Sequence, residues 1–482
     1  MRHAIGTPRL SIASGRSPLI FRATIIIGAL MLLGCKNQVP AKGDNPVPLK
    51  KALQGSGSAA AKPAAKENST GDAPKVAMPT GKVVRYKPNK RFPGQRNFRL
   101  PIPFFAPNSA WNLKATKAKV VANSAKQILA TYRAGRKSNW ELSAMDINYD
   151  EFAISIYLAG KKRGKVLACN YDGEPTWGAS KKIPPYEHKK GGTVIIPMPD
   201  GTVTPAGPRG DFSDGWLVML DFEKHREWDF WQATTKRKRR CKSSGGGIPG
   251  KLILEAGFVD RFDYRGSGTN YPQTESSARA MGTALLAGLV VPEDIESGVI
   301  AHALAMAIPK PRNRNKKQPD KPFPGDHIYP AAFLETDHFS TDPYQLAGGQ
   351  RLRLKKQITS IEGEIVDETK LAPITRMFLK ALRQYGAYIV DAAGGFTFFS
   401  EDITSARVKL TDAQVNKLIG EPADKKHPKK KSRWELLMSK LTNDIGQFPI
   451  AFGIFKKGQN PKRARYKVAN FDVVDSPPPP KK

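Results

Sequence analysis

The amino-acid sequence predicts a mainly β protein, in which a jelly-roll-like β-sandwich carries two peripheral helices. Alternating apolar and polar residues dominate much of the folded part of the chain, which is the pattern of half-buried strands. These segments are short and are separated by turns rich in glycine and proline. Only two windows have the helical apolar period of about 3.6 residues. Many short strands between such turns favour a sandwich or barrel over alternating β/α units.

The composition excludes several classes of protein. The chain has 482 residues, of which 40% are hydrophobic and three are cysteine, and its formal net charge is +35. This apolar fraction is too high for a wholly disordered chain, and the cysteines are too few for a disulfide scaffold. No apolar run reaches the roughly 20 residues of a membrane-spanning helix, which excludes a multi-pass membrane protein. The charge predicts an anionic partner or an anionic environment.

Residues 1–34 have the features of a signal peptide. A leader with four arginines and no acidic residue precedes the apolar run 23–33. That run would cover roughly 16 Å as a helix, about half of a bilayer core, so it is too short to span a membrane. The following Leu-Leu-Gly-Cys resembles the lipobox of bacterial lipoproteins, which implies cleavage before Cys35 and attachment of diacylglycerol to it. Ordinary secretion with a coincidental cysteine, or an uncleaved leader, is the alternative.

The resemblance to lipoproteins also predicts a location. Lys36 follows the cysteine, and this resembles the sorting signal for the outer membrane, so we expect a lipid-anchored protein of the bacterial cell envelope. Removal of the leader takes away four arginines and leaves a net charge of +31, so the basicity belongs to the mature chain. Lipidation of Cys35 would leave Cys169 and Cys241 as a possible disulfide in an oxidising compartment, with two free thiols as the alternative.

Behind the signal peptide, the sequence divides into three parts. Residues 35–88 are rich in Ala, Pro and Lys and predict a flexible basic tether. Residues 89–475 predict the β-rich globular domain, and residues 476–482 predict a disordered Pro/Lys tail.

Within the domain, each strand prediction follows from its own pattern. Residues 151–158 alternate, with Phe152 and Ile154 on the apolar face. Residues 216–222 are apolar on both faces and predict a central strand, and a polar turn joins them to 227–231 as a hairpin. Further strands are predicted at 193–197, 251–258, 298–308 and 350–355.

Two segments predict helices, and three predict basic loops. Residues 371–385 place an apolar stripe on one face, begin with a proline in the first turn and end at Gly386. Residues 432–445 place Trp434 and three aliphatic side chains together. The solvated basic loops are 236–240, 310–321 and 425–433.

Several blocks of sequence carry a resemblance to known proteins. They are Gly298-Val299-Ile300-Ala301-His302, His338-Phe339, Gly349 to Lys355 and Ala381 to Gly386. From about Ser276 to Glu401 the chain resembles a group of secreted, largely uncharacterised bacterial proteins. It departs from the pattern of that group at Trp216, where a histidine is usual, and at Arg279, where an aspartate is usual. If those positions form the group's site, the resemblance implies an altered or lost activity here.

His302 and His338 are the first candidates for catalysis, because an imidazole can act as a base near neutral pH. His302 falls on an apolar face of its predicted strand, so a buried structural histidine is the alternative. His338 lies in a polar loop with Asp337, and the pair Asp326-His327 lies upstream. Two such pairs would suit a cation, but their spacing matches no metal motif, and a plain loop is the alternative. We therefore predict no metal site and no cofactor.

Charged side chains supply two further candidates. Arg351, Arg353 and Lys355 alternate with leucines, which predicts a basic ladder on one face of a strand, for binding an anionic substrate or simply for solvation. Glu293 and Asp294 would form an acid/base pair with Asp229 or Glu227 if a cleft brought them together, and a surface turn is the alternative.

The predicted function follows from the location and the charge. Behind a lipoprotein leader, the basic run 236–240 does not indicate nucleic acid, and no phosphate-binding glycine loop or serine nucleophile elbow is present. We expect a protein that binds, or cleaves by lyase-like chemistry, an anionic polysaccharide. His302 or His338 would then be the base, and Arg351 and Arg353 would neutralise the substrate carboxylate. The alternative is a non-catalytic lipoprotein that adheres to the cell wall or to anionic lipid.

Overall fold

Two mixed β-sheets face each other across an apolar core, as seen in a computed structural model of the chain. The structure describes residues 83–136, 144–168, 188–189, 193–199, 205, 214–234, 252–273, 275–321, 323–336, 338–360, 364–427, 430–454 and 465–479.

The described residues form fifteen strands and five α-helices, which are numbered here in chain order. The strands are β1 (Met145–Asn148), β2 (Ser155–Ala168), β3 (His188–Lys189), β4 (Thr193–Pro199), β5 (Leu217–Asp221), β6 (Arg226–Trp231), β7 (Leu252–Ala256), β8 (Phe258–Asp263), β9 (Leu304–Ile308), β10 (Arg351–Leu354), β11 (Ala387–Ala392), β12 (Phe396–Phe399), β13 (Ala451–Ile454), β14 (Arg465–Ala469) and β15 (Phe471–Val474). The helices are α1 (Ser124–Arg136), α2 (Pro292–Ser297), α3 (Pro373–Gln384), α4 (Asp412–Ile419) and α5 (Arg433–Ile445).

The strands are arranged in two large sheets and one small one. The first sheet has the order β1-β12-β9-β11-β10-β15. The second has the order β3-β4-β2-β5-β6-β8, with β7 also paired to β2, and β13 and β14 form a separate pair. Both large sheets are mixed, because β1 with β12, β9 with β11, and β2 with both β5 and β7 run parallel. The mainly β prediction is confirmed, but a jelly roll has antiparallel neighbours, so that connectivity is not confirmed.

Helices and sheets form three layers. The first sheet is the middle layer, because alternate residues of its strand β9 point to opposite sides. Leu304 and Met306 pack with the helices, whereas Ala305 and Ala307 face the second sheet. The core between the sheets also takes Val218 of β5 and its neighbours. The helices α1, α3, α4 and α5 cover the outer face of the first sheet. A third, smaller apolar cluster lies on the opposite face of the second sheet.

The elements predicted from strong local patterns are confirmed. Strands β5 and β6 form the expected antiparallel hairpin, with Met219 opposite Trp228. Helices α3 and α5 occupy the two predicted windows and bury their apolar stripes. The strand predicted at 298–308 is shorter, because Gly298 adopts the left-handed conformation (φ 76°) that ends α2, and β9 begins only at Leu304.

Two ends of the predicted domain have structure beyond the expected boundaries. Residues 83–88, which the sequence assigns to the tether, lie against the domain. Arg85 forms an isolated antiparallel β-bridge with Phe98. In the tail, the hydroxyl of Ser476 donates to the carbonyl of Gly349 at 3.0 Å. Within the described ranges, no helix combines the length and the apolar character that crossing a membrane requires. Cys35, Cys169, Cys241 and the loop 236–240 lie outside the described residues.

Candidate functional site

His302 is held in a buried ion pair between α2 and β9. Its Nε2 lies 3.2 Å from Oδ2 of Asp294, and its Nδ1 lies 2.9 Å from the carbonyl oxygen of Ala303. Both acceptors are satisfied at once only by the protonated imidazole. Burial disfavours that charge, but the charge of Asp294 and the two hydrogen bonds outweigh it and raise the pKa of His302. Because both ring nitrogens are engaged, the geometry assigns the side chain a structural partner and gives its predicted catalytic role no support.

We expect this pair to make stability depend on pH. The folded-state pKa of His302 is raised, so its contribution is complete below the unfolded value of about 6.5 and is lost as pH rises through the folded value. His302→Asn should lower the free energy of unfolding by roughly 1.5–3 kcal/mol near pH 6, the usual worth of hydrogen bonds to charged groups, and by less near pH 9. Thermal unfolding across this range measures the effect, with the exposed His338→Asn as the control. An equal loss at both pH values would contradict the imidazolium assignment.

The residues of the two predicted Asp-His pairs lie in different environments. Asp326 is fully buried. Its carboxylate accepts hydrogen bonds from the main-chain N–H groups of Arg314 at 3.0 Å and Phe323 at 3.2 Å. It also forms an ion pair with the side chain of Arg314 at 2.5 Å. It therefore organises the loop that contains it. His338 is exposed, and Asp337 lies outside the described residues. No group of three or more metal-binding side chains occurs in the part of the chain that the structure describes.

The predicted basic ladder holds a neighbouring segment of the chain. The leucines of β10 fill the core as expected, but the opposite face is covered as well. Arg351 is 1% exposed, donates to the carbonyl oxygens of Tyr385 and Leu113, and lies 5.1 Å from the ring of Tyr388. Arg353 donates to the carbonyl oxygens of Ala115, Thr116 and Ala118, at 2.8, 3.3 and 3.0 Å. These two arginines bind main chain, so a substrate-binding role for them stays a prediction.

Lys355 ends the ladder nearer to solvent. Its Nζ lies 3.8 Å from Oδ1 of Asp472 on the neighbouring strand, and its side chain is 37% exposed. The ladder is therefore graded, from a buried guanidinium at Arg351 to a partly solvated ammonium at Lys355.

The acidic candidates lie in two separate buried clusters. Arg96 makes a bidentate ion pair with Glu293, at 2.7 and 2.5 Å, and a second one with Glu401, at 2.8 and 3.0 Å. Glu293 also accepts from the main-chain N–H of Leu100 at 2.8 Å. Glu293 is therefore fully engaged, and Asp294 belongs to the His302 pair. Sequence patterns gave no signal for Arg96, because its partners lie 197 and 305 residues away.

Glu227 and Asp229 form the second cluster, on the face of β6 that points to the core between the sheets. Both are 0% exposed, and they accept from the main-chain N–H groups of Leu286 and Leu285, each at 2.8 Å. Burial raises the pKa of Glu227 to about 7 and that of Asp229 well above its ordinary value, and the neighbouring charge of Glu227 raises the pKa of Asp229 further. The two predicted acid/base partners thus lie in different buried clusters and do not face each other across a cleft.

A cavity with a basic lining lies between loop 310–321 and the residues that follow His338. Loop 310–321 pairs with the residues after His338, since the N–H of Asn313 donates to the Ser340 carbonyl and the N–H of Ser340 donates to the Pro311 carbonyl, both at 2.9 Å. The cavity between these segments and α1 has a volume of about 560 Å³. We call it the basic cavity, and its lining includes Arg133, Lys310, Lys316, Phe339, Ser340, Thr341, Asp342 and Gln345.

A second cavity carries a mixed charge. Its volume is about 590 Å³, and it lies beside β2 and the turn after β5. Its charged lining residues are Arg85, Lys161, Arg163, Asp221, Glu223 and Lys224. The carboxylates of Asp221 and Glu223 compensate part of the positive charge there.

The structure brings Trp216 and Arg279 close together. The ring of Trp216 lies edge-on to the ring of Phe399, with 5.2 Å between centroids. The guanidinium of Arg279 lies 4.9 Å from the centroid of the same ring. Trp216 and Arg279 are therefore neighbours through Phe399, although 63 residues of sequence separate them. No protein-family model, curated protein or solved structure matches the chain.

Proposed function

We propose that this chain is a bacterial lipoprotein, anchored in the cell envelope through Cys35, whose folded part binds an anionic polysaccharide. The leader, the tether and the mature charge of +31 support the location, with the residue after Cys35 favouring the outer membrane. In that compartment, the polyanions that a basic protein meets are surface glycans and lipid headgroups, and nucleic acid is not expected.

The basic cavity is the observation that carries the binding proposal. Lys310, Lys316 and Arg133 line it, and Asp342 is the one carboxylate among its described lining residues. Hydroxyl groups and the Phe339 ring complete the lining, so the cavity offers cations for a sugar carboxylate, hydrogen bonds for hydroxyls and an aromatic face. Its volume falls within the range of about 300–1,000 Å³ that is common for ligand sites.

Binding has more support than cleavage. The imidazole of His302 is fully hydrogen-bonded, and the guanidinium groups of Arg351 and Arg353 donate to main-chain carbonyls. If the protein cleaves its ligand by elimination, His338 is the better-placed base, because it is exposed and precedes Phe339 of the basic cavity. New ultraviolet absorbance from unsaturated products would then report the reaction.

We expect Lys310→Glu/Lys316→Glu to lower the affinity for polygalacturonate roughly tenfold or more. Reversing two charges turns several weak attractions of about 0.5 kcal/mol each into repulsions. Their sum exceeds the roughly 1.4 kcal/mol that corresponds to a tenfold change in the dissociation constant. Titration calorimetry near physiological salt measures the change. The control is Lys426→Glu/Lys430→Glu, which alters the net charge equally on an exposed basic loop outside the described cavities. Equal losses in both variants would contradict a specific site and favour the alternative of adhesion through overall charge.

A further inference from the structure

A third cavity has a chemistry opposite to that of the basic cavity. Its volume is about 490 Å³, and it opens between β1, the start of β5, the turn before β12 and the end of α5. We call it the aromatic cleft. The side chains that define it are Asp146, Phe152, Asp214, Trp216, Phe399 and Thr442.

Two polar atoms in the wall of the aromatic cleft have no partner. The indole Nε1 of Trp216 and the Oγ1 of Thr442 are buried, and neither has a hydrogen-bond partner among the described residues. Trp216 is only 4% exposed, so water does not satisfy its N–H freely. A buried donor without a partner costs about 1–3 kcal/mol, and this cost is recovered when a ligand accepts the hydrogen bond.

The ionisable side chains that line the aromatic cleft are acidic. Asp146 and Asp214 are its ionisable lining residues, and its described lining contains no lysine or arginine. Asp214 accepts a hydrogen bond from Nε1 of Trp231 at 3.3 Å. Asp391, which is 7% exposed, directly precedes the lining residue Ala392 and adds a third carboxyl nearby. The described lining of the cleft therefore offers no cationic side chain to the anionic groups that the basic cavity attracts.

Aromatic side chains line part of the cleft, beside several alanines and glycines. Phe152 is 41% exposed at the cleft, and Trp216 and Phe399 pack edge-on in its wall. An uncharged sugar ring has the matching chemistry, because its C–H faces pack on aromatic rings and its hydroxyls both donate and accept hydrogen bonds. Carboxylates would accept from the hydroxyls, and the unpartnered indole N–H would donate to one.

We propose that the aromatic cleft binds an uncharged sugar residue, with Trp216 Nε1 and Thr442 Oγ1 as hydrogen-bonding groups. The site is independent of the basic cavity. A glycan that contains both uncharged and anionic residues would engage the two cavities through different residues.

The test uses three trisaccharides as probes of the purified chain: cellotriose, the β-linked trimer of N-acetylglucosamine, and galacturonate trisaccharide. Saturation-transfer NMR and titration calorimetry should detect binding of at least one neutral probe. Trp216→Phe keeps a packed ring but removes the N–H, and Thr442→Val keeps the shape but removes the hydroxyl. Each should weaken binding of the neutral probe roughly three- to tenfold. Lys310→Glu/Lys316→Glu should leave that binding unchanged.

Two outcomes would overturn the proposal. One is that neither neutral trisaccharide binds the wild-type chain. The other is that a neutral probe binds but Trp216→Phe and Thr442→Val retain full affinity. As a matched control, Tyr344→Ala removes a partly exposed aromatic ring outside the cleft and should have no effect on neutral probes. Failure of galacturonate trisaccharide alone to bind would contradict the proposal for the basic cavity and would not affect the proposal for the aromatic cleft.

Discussion

Arg96→Met should lower the free energy of unfolding by about 3–5 kcal/mol, which is the usual cost of removing one partner from a buried ion pair. Arg96 is completely buried between Glu293 and Glu401, whose side chains are 2% and 0% exposed. Although burial disfavours its charge, the two carboxylates outweigh that effect and raise the pKa of Arg96. Without the guanidinium, both carboxyls would have to take up protons or remain charged in the core.

The environment of Glu401 shows how costly this would be. Burial raises the pKa of Glu401 to about 7 even with Arg96 in place. The main-chain carbonyl of Glu401 also accepts from the indole N–H of Trp434 at 2.7 Å, so the cluster ties the N-terminal segment to β12 and α5. Its disruption should therefore loosen contacts in more than one layer.

Denaturant and thermal unfolding measure the effect, and two variants control it. Arg99→Met makes the same change three residues away at an exposed position and should change stability by no more than about 0.5 kcal/mol. Arg96→Met combined with Glu293→Gln and Glu401→Gln removes the whole ionic group and should recover most of the loss. A loss of under 1 kcal/mol in Arg96→Met would show that the ion pairs do not stabilise the fold as argued.

The parts of the fold that the sequence predicts are those with local causes. Helix α3 needs only its apolar stripe, Pro373 at its start and Gly386 after its end, all within one window. The hairpin of β5 and β6 likewise depends on two adjacent apolar segments and a four-residue polar turn. Helix α4 had an available signal in the capping box of Thr411 and Gln414, but its short apolar stripe is weak.

Pairing between distant segments could not be predicted. Strand β11 pairs in parallel with β9, about 80 residues earlier in the chain, and neither strand's pattern encodes that neighbour. The jelly-roll expectation failed to anticipate such pairs for this reason. The layer of helices on the first sheet was also underestimated, because α1 buries Ile128 and Tyr132 only in the context of that sheet.

The candidate sites were limited in the same way. The sequence left open whether His302 is a base or a buried structural residue, and only the position of Asp294 and the Ala303 carbonyl distinguishes these possibilities. It identified the basic character of loop 310–321, but not the cavity that this loop forms with residues 339–345. The aromatic cleft was missed, because the sequence offers no signal that its wall segments meet.

The second large effect concerns pH. We expect Glu227→Gln/Asp229→Asn to stabilise the protein above pH 7 and to change little near pH 4.5. The pKa of Glu227 is raised by burial from 4.5 to about 7 in the folded state, so its favourable contribution is complete below about 4.5 and is lost as pH rises through 7. Burial and the charge of Glu227 also raise the pKa of Asp229 well above its ordinary value, so its contribution to stability falls with rising pH in the same direction.

The amides of the double variant can still accept from the Leu285 and Leu286 N–H groups and can hydrogen-bond to each other without a charge. At pH 8 the gain should be on the order of 3 kcal/mol, since each pKa unit corresponds to about 1.36 kcal/mol. Denaturant unfolding at several pH values measures the free energy of unfolding of the variant and of the wild type. Their difference removes the contribution of other buried carboxyls, which both proteins share. Glu223→Gln/Asp263→Asn makes the same chemical change at exposed positions and should leave the pH profile unaltered. A difference that stays constant with pH would mean that Glu227 does not titrate as a buried group with a raised pKa.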